Sequence, residues 1–339
     1  MSITTRRAVI VGAGDIARVH FGALSALGVE VVAVVDPDEQ RALERAAAAG
    51  AVGSSDLDAV LAAGDVDVVH VCTPHDQHAP VVLTALAAGV NVLLEKPLAH
   101  SLTDAQRIAA AAEAASVKVG VCFQNRYNPT SQAMRAALAG GTLGPILAAT
   151  ATVPWSRTGA YYAAKPWAGQ SVRSGGGALI NQSIHTIDLL QWLVGPVSDI
   201  SGRAFQLEPI QGVDVEDTAT LTMTHNPAGQ PPVRSTMWVT NTNAINAPVT
   251  IDVQCEAGSL SLRGNLTVAE ADGTTTVVSD DRPDSDTPSY WGLSHQALIE
   301  DFYAQLERPE PFWIAPVDAL PAQQILNQVY EQSGRYTSG

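Results

Sequence analysis

Three groups of residues in this sequence have types and spacings that could do chemistry. The first is Gly12-Ala13-Gly14-Asp15-Ile16-Ala17, a G-x-G-x-x-A run that directly follows the apolar segment AVIV at 8 to 11. The first glycine permits a tight turn, the second lets a pyrophosphate approach the backbone, and the small third residue allows a helix to pack closely on a strand. Amides at the start of that helix would face anionic phosphates, aided by the helix dipole. Asp36 lies about 20 residues further on, where a second apolar run, VEVVAVVD, ends. A carboxylate there can accept hydrogen bonds from ribose hydroxyls and repels a 2′-phosphate. The pattern predicts NAD as cofactor, with NADP the alternative that nearby Arg41 keeps open.

The second group is Glu95-Lys96-Pro97, at the carboxyl end of the run VNVLLE, where Lys96 is one of three lysines with Lys118 and Lys165. Burial beside a bound cofactor can lower a lysine's pKa into the range of acid/base work, and a snorkelling surface lysine is the plain alternative. The third is Gly175-Gly176-Gly177-Ala178-Leu179-Ile180-Asn181-Gln182-Ser183-Ile184-His185-Thr186-Ile187-Asp188. On a helix predicted from about 178 to 194, Asn181 and His185 are i and i+4 and share a face. An imidazole of ordinary pKa near ~6.5 suits proton transfer, whereas an amide can position a hydroxyl without taking its proton. A satisfied structural histidine is the plain alternative for His185. Asp188 either orients the imidazole or forms a salt bridge. His75 and His78 resemble an HxxH pair but lack further partners at ligand spacing, so no metal is expected.

The elements that must hold these residues follow from hydrophobic period. Runs at 8 to 11, 29 to 36, 66 to 72, 90 to 95 and 117 to 123 read as buried parallel strands. Helical stretches at 16 to 27, 38 to 49, 56 to 63, 77 to 88 and 103 to 115 separate them. Strict alternation implies a doubly wound α/β sheet, whose ligands collect at the carboxyl ends of its strands. After Pro145 the pattern changes to a strand at 146 to 153, an aromatic loop, the helix at 178 to 194, and successive strands from 197 to about 278. That half reads as α+β with a large open, mostly antiparallel sheet. The acidic stretch 279 to 288 reads as an exposed loop, and helices at about 291 to 307 and 317 to 335 would pack back on the structure. The loop carries Trp155, Tyr161, Tyr162, Lys165 and Trp167, aromatic faces beside polar groups such as hold sugar rings, or else interface packing. Asn241, Asn243 and Asn246 offer amides to hydroxyls if they face the cleft.

Composition bounds the function. The 339 residues suit two domains, here 1 to 125 and 126 to 339. A net charge of −15, without a basic stripe, disfavours nucleic acid. No apolar run is long enough to cross a membrane, the N-terminus lacks a signal-peptide pattern, and a cytoplasmic location is expected. Cys72, Cys122 and Cys255 are an odd, scattered set read as buried free thiols.

The GAGDIA turn, CTPHDQH, EKP and GGGALINQSIHTIDLL, in this order and spacing, resemble the Gfo/Idh/MocA oxidoreductases over nearly the whole chain. The resemblance implies a Rossmann domain followed by an α+β domain whose large open sheet packs on a neighbouring subunit in a homodimer or homotetramer. It further implies that Gly12, Ala13, Gly14, Asp15 and Ile16 form the phosphate loop, that Asp36 binds ribose, and that Thr73, Pro74 and His78 border the cofactor. Glu95 and Lys96 match the E-K-P element, whose lysine reaches both nicotinamide and the substrate hydroxyl. Arg126, Trp167, Asn181 and His185 would line the substrate site, in a cleft between the domains. The family usually has aspartate where Asn181 stands, which shifts acid/base duty to His185 with Lys96. Many relatives have arginine where Ala168 follows Trp167. The implied activity is hydride transfer between a secondary alcohol of a sugar, inositol or related polyol and the nicotinamide cofactor. The alternatives are an NAD-dependent glycoside hydrolase or lyase that oxidises its sugar transiently, and a non-catalytic dinucleotide-sensing protein.

Overall fold

The structure, a computed structural model, describes residues 6–279 and 294–335. The expected acidic loop from 280 on and the first three residues of the helix expected at 291 lie outside the described residues. The chain forms two compact units, one drawn from Met1–Gln124 and Ser285–Leu320, the other from Asn125–Asp284 and Pro321–Gly339.

The first unit is built on a parallel sheet of β1 (Arg7–Val11), β2 (Glu30–Val35), β3 (Val52–Ser54), β4 (Val68–Val71), β5 (Asn91–Leu94) and β6 (Val119–Val121), in the order β3-β2-β1-β4-β5-β6. All four residues of β4 are buried, as expected of a strand covered on both faces, and its valines suit such a site. Strand order reverses between β1 and β4, so their carboxyl ends, Val11 and Val71, open at the topological switch point where such sheets bind ligands. Hydrophobic period in the sequence marks five of these six strands, all but β3. It is a three-residue edge strand whose central Gly53 lies against the Leu43 backbone, and so carries no hydrophobic period. The helix Ser294–Ala304 packs on Asp15–Leu27. Its Phe302 sits over Gly120 of β6 and meets Phe312 edge-on at 5.2 Å.

The second unit holds an eight-stranded sheet of β7 (Ile146–Pro154), β8 (Val197–Phe205), β9 (Thr218–His225), β10 (Val233–Thr240), β11 (Thr250–Cys255), β12 (Gly258–Arg263), β13 (Asn265–Glu270) and β14 (Thr275–Val278), in the order β14-β13-β12-β11-β7-β10-β9-β8. The sheet is mostly antiparallel, as expected, with β7 and β10 paired in parallel. Strand β7 precedes the helices and is inserted at the centre of strands that follow them, so its direction is not set by a hairpin. Residues alternate between faces, as a sheet with one covered face requires. Leu221, Met223, Met237 and Val239 are buried, while Thr220, Thr222, Thr236 and Trp238 point away from them and are exposed. The helix Ile184–Val194 packs on β7. Among the described residues no helix is long and apolar enough to cross a membrane.

Candidate active site

At the end of β1 the chain turns sharply. Gly12 has φ +95°, its amide donates to the Val35 carbonyl at 2.7 Å, and a Cβ there would lie 2.5 Å from the Cys72 carbonyl oxygen. Only glycine fits such a position. Gly14 is the opposite case, because a Cβ there would meet nothing within 4 Å. It caps the helix Asp15–Leu27 with no side-chain acceptor for the first amides, which leaves their dipole end open to an anion. The Asp36 carboxylate accepts from the Ala13 amide (2.8 Å), the Asp38 amide (2.9 Å) and Arg41 Nη2 (2.6 Å). Burial opposes the charge on Asp36, but these donors outweigh it and hold the carboxyl below its ordinary range. Arg41 is thus an ion-pair partner of Asp36, a use that competes with reading a 2′-phosphate. Beyond β4, the buried Thr73 Oγ1 has no partner among the described residues. An open glycine cradle, uncapped amides, an ionised carboxylate at the ribose position and an orphaned hydroxyl fit a dinucleotide.

Lys96 follows β5 and is half-buried, and the residues that set its position lie behind it. Glu95 is buried and its Oε1 lies 3.1 Å from both His20 Nε2 and His295 Nε2, while Oε2 accepts from the Lys96 amide at 3.2 Å. A carboxylate only accepts, so both Nε2 atoms carry protons. His20 Nδ1 lies 2.7 Å from His70 Nδ1, and His70 Nε2 lies 2.9 Å from the Tyr303 hydroxyl. Burial would raise Glu95, but the bonds from His20 and His295 hold it well below the usual carboxylate range. Burial, then His20, holds His70 well below 6.5. Cys122 lies near His20 and Glu95, and burial, together with Glu95, keeps its thiol protonated, so this cluster is a hydrogen-bonded set. His78 joins the two turns, with Nδ1 2.8 Å from the Pro97 carbonyl and Nε2 3.1 Å from that of Thr73.

The signs of these shifts give a prediction. His70 has a depressed folded pKa, so its contribution to stability is present above 6.5 and is lost as pH falls below that value; Glu95 behaves in the same way below 4.5. Calorimetric melting should therefore show the transition carrying the first unit moving down between pH 7.5 and 5, by ~2–4 °C per kcal/mol lost. His70→Asn should flatten that slope, and a wild-type transition unmoved over this range would contradict the account.

In the second unit the helix predicted as one α-helix has two parts, a π-turn at Ala178–Ser183 followed by the α-helix Ile184–Val194. Asn181 lies in the first and His185 in the second, so their relation is not the plain i, i+4 of an α-helix. Such widened turns are frequent at functional sites. A residue the sequence did not single out, Glu216, holds the turn. Its carboxylate accepts from the Gly177 amide (2.8 Å), the Leu179 amide (2.9 Å) and the Tyr330 hydroxyl (3.0 Å). A Cβ at Gly177 would collide with the Glu216 carbonyl, which explains why the turn is built from glycines. Asp188 is an ion-pair partner, gripped by Arg126 Nε (2.9 Å) and Nη2 (2.6 Å) with both side chains buried. The guanidinium of Arg126, a residue expected at the substrate site, thereby anchors the helix that carries His185. Asp188→Ala leaves that charge buried without its carboxylate and should cost about 3 kcal/mol by chemical denaturation. Arg126→Met with Asp188→Leu should recover most of the loss, and a silent single variant would refute the role.

The aromatic loop contributes Tyr161, whose hydroxyl accepts long hydrogen bonds from Asn181 Nδ2 (3.4 Å) and Gln182 Nε2 (3.5 Å). Gln182 Oε1 in turn accepts from Asn241 Nδ2 at 3.0 Å. Burial pushes the Tyr162 phenol up to about 12, so it remains a neutral donor. Trp167 sits half-buried in the short turn Pro166–Gly169. Asn243 and Asn246 bond to neighbouring loop atoms.

Comparison with known proteins adds to this geometry. Residues 6–123 match the model of the oxidoreductase family with an NAD-binding Rossmann fold, and residues 131–261 match the GFO/IDH/MocA C-terminal domain. The chain is 28% identical to the D-apiose dehydrogenase of Paraburkholderia graminis, over 91% of this chain and 80% of that protein. It is 34% identical to the inositol 2-dehydrogenase of Rhizobium meliloti over 61% of each chain, so it spans under two thirds of that relative. The WlbA dehydrogenase of Bordetella pertussis, solved with NADH and UDP-GlcNAcA, superposes with a TM-score of 0.83 at 27% identity, covering 97% of this chain and 96% of that one.

Proposed function

This chain belongs to the Gfo/Idh/MocA oxidoreductase family, and from that premise we propose that it oxidises a secondary alcohol of a sugar, inositol or related polyol with NAD, by means of Lys96, His185 and Asn181. The observation that carries the proposal is the position of Lys96. It follows a strand end beside the topological switch point, on a turn anchored by the buried Glu95 carboxylate. When bound, NAD supplies the hydride acceptor. The Lys96 ammonium donates to the substrate oxygen and stabilises the alkoxide charge that develops there as the hydroxyl proton leaves, before the carbinol hydrogen departs as hydride. His185 takes the hydroxyl proton, and the Asn181 amide, held beside Tyr161, orients the hydroxyl. Gly12 to Ile16 and Asp36 are assigned to the cofactor, with Thr73 and Pro74 at its edge, and His78 holds the two turns together. Dinucleotide binding falls to the first unit, and substrate binding and self-association to the second.

A panel of inositols, pyranoses and linear polyols with NAD and with NADP, followed by the absorbance of the reduced cofactor, tests the activity. Reduction of NAD by at least one member is expected. Cleavage of a sugar without net reduction would instead identify a hydrolase or lyase.

We also propose that a second copy of the chain covers the open sheet face. A cavity of about 510 Å³ lies on that face, lined by Thr222, Thr236, Trp238 and Arg203 among others, and Trp238 is 42% exposed. Sedimentation should show a dimer or tetramer that Trp238→Glu dissociates; a wild-type monomer at micromolar concentration would reject this. A cytoplasmic setting suits three buried free cysteines.

A further inference from the structure

Arg157 has no carboxylate partner among the described residues, in a chain where acids outnumber bases 34 to 19. Its guanidinium carbon lies 4.9 Å from the centroid of the Trp155 ring and 5.1 Å from that of Tyr161, so two aromatic faces hold it. Nη1 is fixed by the Ser156 carbonyl at 2.7 Å and Asn246 Oδ1 at 2.9 Å. Nε is buried and has no hydrogen-bond partner among the described residues. The same Tyr161 ring carries Lys165 Nζ 5.9 Å from its centroid, and its hydroxyl meets Asn181. A fixed guanidinium therefore stands one aromatic ring away from Asn181, and that ring carries a second cation.

Arg126 shows how this protein uses the Nε edge of an arginine when a carboxylate is present, taking Asp188 with Nε and Nη2 together. In Arg157 the remaining amine is pinned and the Nε edge is unused. A buried N–H on a charged group is costly to leave unmet, and a planar fork matches a carboxylate in geometry and charge.

We propose that Arg157 reads a carboxylate on the substrate, so that the preferred substrate is an acidic polyol, a uronate or an aldonate. Lys165, over the same Tyr161 ring, adds positive charge to a chain otherwise strongly acidic. This rests on the reading of Asn181 as a substrate-facing residue. The overall −15 disfavours nucleic acid, whereas the field at a small carboxylate is set locally by Arg157 and Lys165.

The test compares D-glucuronate and D-gluconate with D-glucose, myo-inositol and glucose 6-phosphate, using the full chain with NAD, in wild type, Arg157→Gln and Arg157→Lys. Wild type should prefer the carboxylates. Arg157→Gln should raise their KM by about 30-fold or more, the loss of a charge-assisted pair, with kcat and the neutral polyols little changed. Arg157→Lys, which keeps the charge and loses the fork, should fall between. A wild-type preference for neutral polyols or for the phosphate, or an equal effect of Arg157→Gln on acidic and neutral substrates, would overturn the proposal. Calorimetric binding of glucuronate to the same proteins separates the two readings. If glucuronate binds and Arg157→Gln abolishes binding, but no compound reduces NAD, the dehydrogenase reading fails and the subsite stands. If neutral polyols alone reduce NAD, the reverse holds.

Discussion

Lys96→Met should lower kcat by about 10²–10³-fold, the range for losing one preorganised donor to a developing oxyanion, and leave NAD affinity within a few-fold of wild type. Methionine matches the length of the lysine stem and removes only the ammonium. The residues that fix the turn are independent of that ammonium, because Glu95 is held by His20 and His295 and binds the Lys96 main-chain amide. Gly12, Asp36 and Thr73 are likewise untouched. The fall should appear in kcat and kcat/KM together, as expected for an interaction that strengthens in the transition state. Near-normal turnover in Lys96→Met, with NAD binding confirmed by titration, would remove Lys96 from the chemistry.

Gly12→Val should reduce NAD affinity by about 10³-fold or more, because two costs add. A β-branched residue at φ +95° is a backbone outlier worth about 1–3 kcal/mol. Its Cβ would also press on the Cys72 carbonyl and the Thr73 amide nitrogen, backbone atoms that cannot rotate away. Relief requires the turn to move off β4, which carries the Ala13 amide away from Asp36 and opens the cradle at Gly14. Gly14→Ala is the internal control. Its Cβ meets no protein atom, so it should leave melting unchanged while weakening NAD binding through the ligand alone. Equal, small losses in both variants would mean that the turn does not hold the pyrophosphate.

The parts of this fold that could be read from the sequence are those whose signals are local. Each β-branched run and each helical stretch of the first unit announces its own period, and the glycine turn needs only its neighbours in sequence to be recognised. What was not legible depends on distance along the chain. His20, His70, His295 and Tyr303 each read as an ordinary core residue; only folding brings them into one set with Glu95, with bonded pairs up to 233 residues apart. Glu216 clasps a turn 37 and 39 residues before it. The Arg126–Asp188 pair spans 62 residues, and the sequence left Asp188 divided between two roles. The π-turn at Ala178–Ser183 was hidden for a different reason, since its residues are compatible with an α-helix and the widening follows from the glycines and Glu216 that start it. The parallel pairing of β7 with β10 is a matter of topology that no strand period encodes.

The most direct test of the account is the fate of the carbinol hydrogen. The protein is incubated with NAD and a reactive polyol deuterated on its carbinol carbons, and the nicotinamide is recovered and weighed by mass spectrometry. Hydride transfer predicts that the reduced cofactor carries the deuterium at C4, on one face, in step with the ketone formed. Reduced cofactor without label, or substrate consumed while NAD stays oxidised and unlabelled, would contradict it.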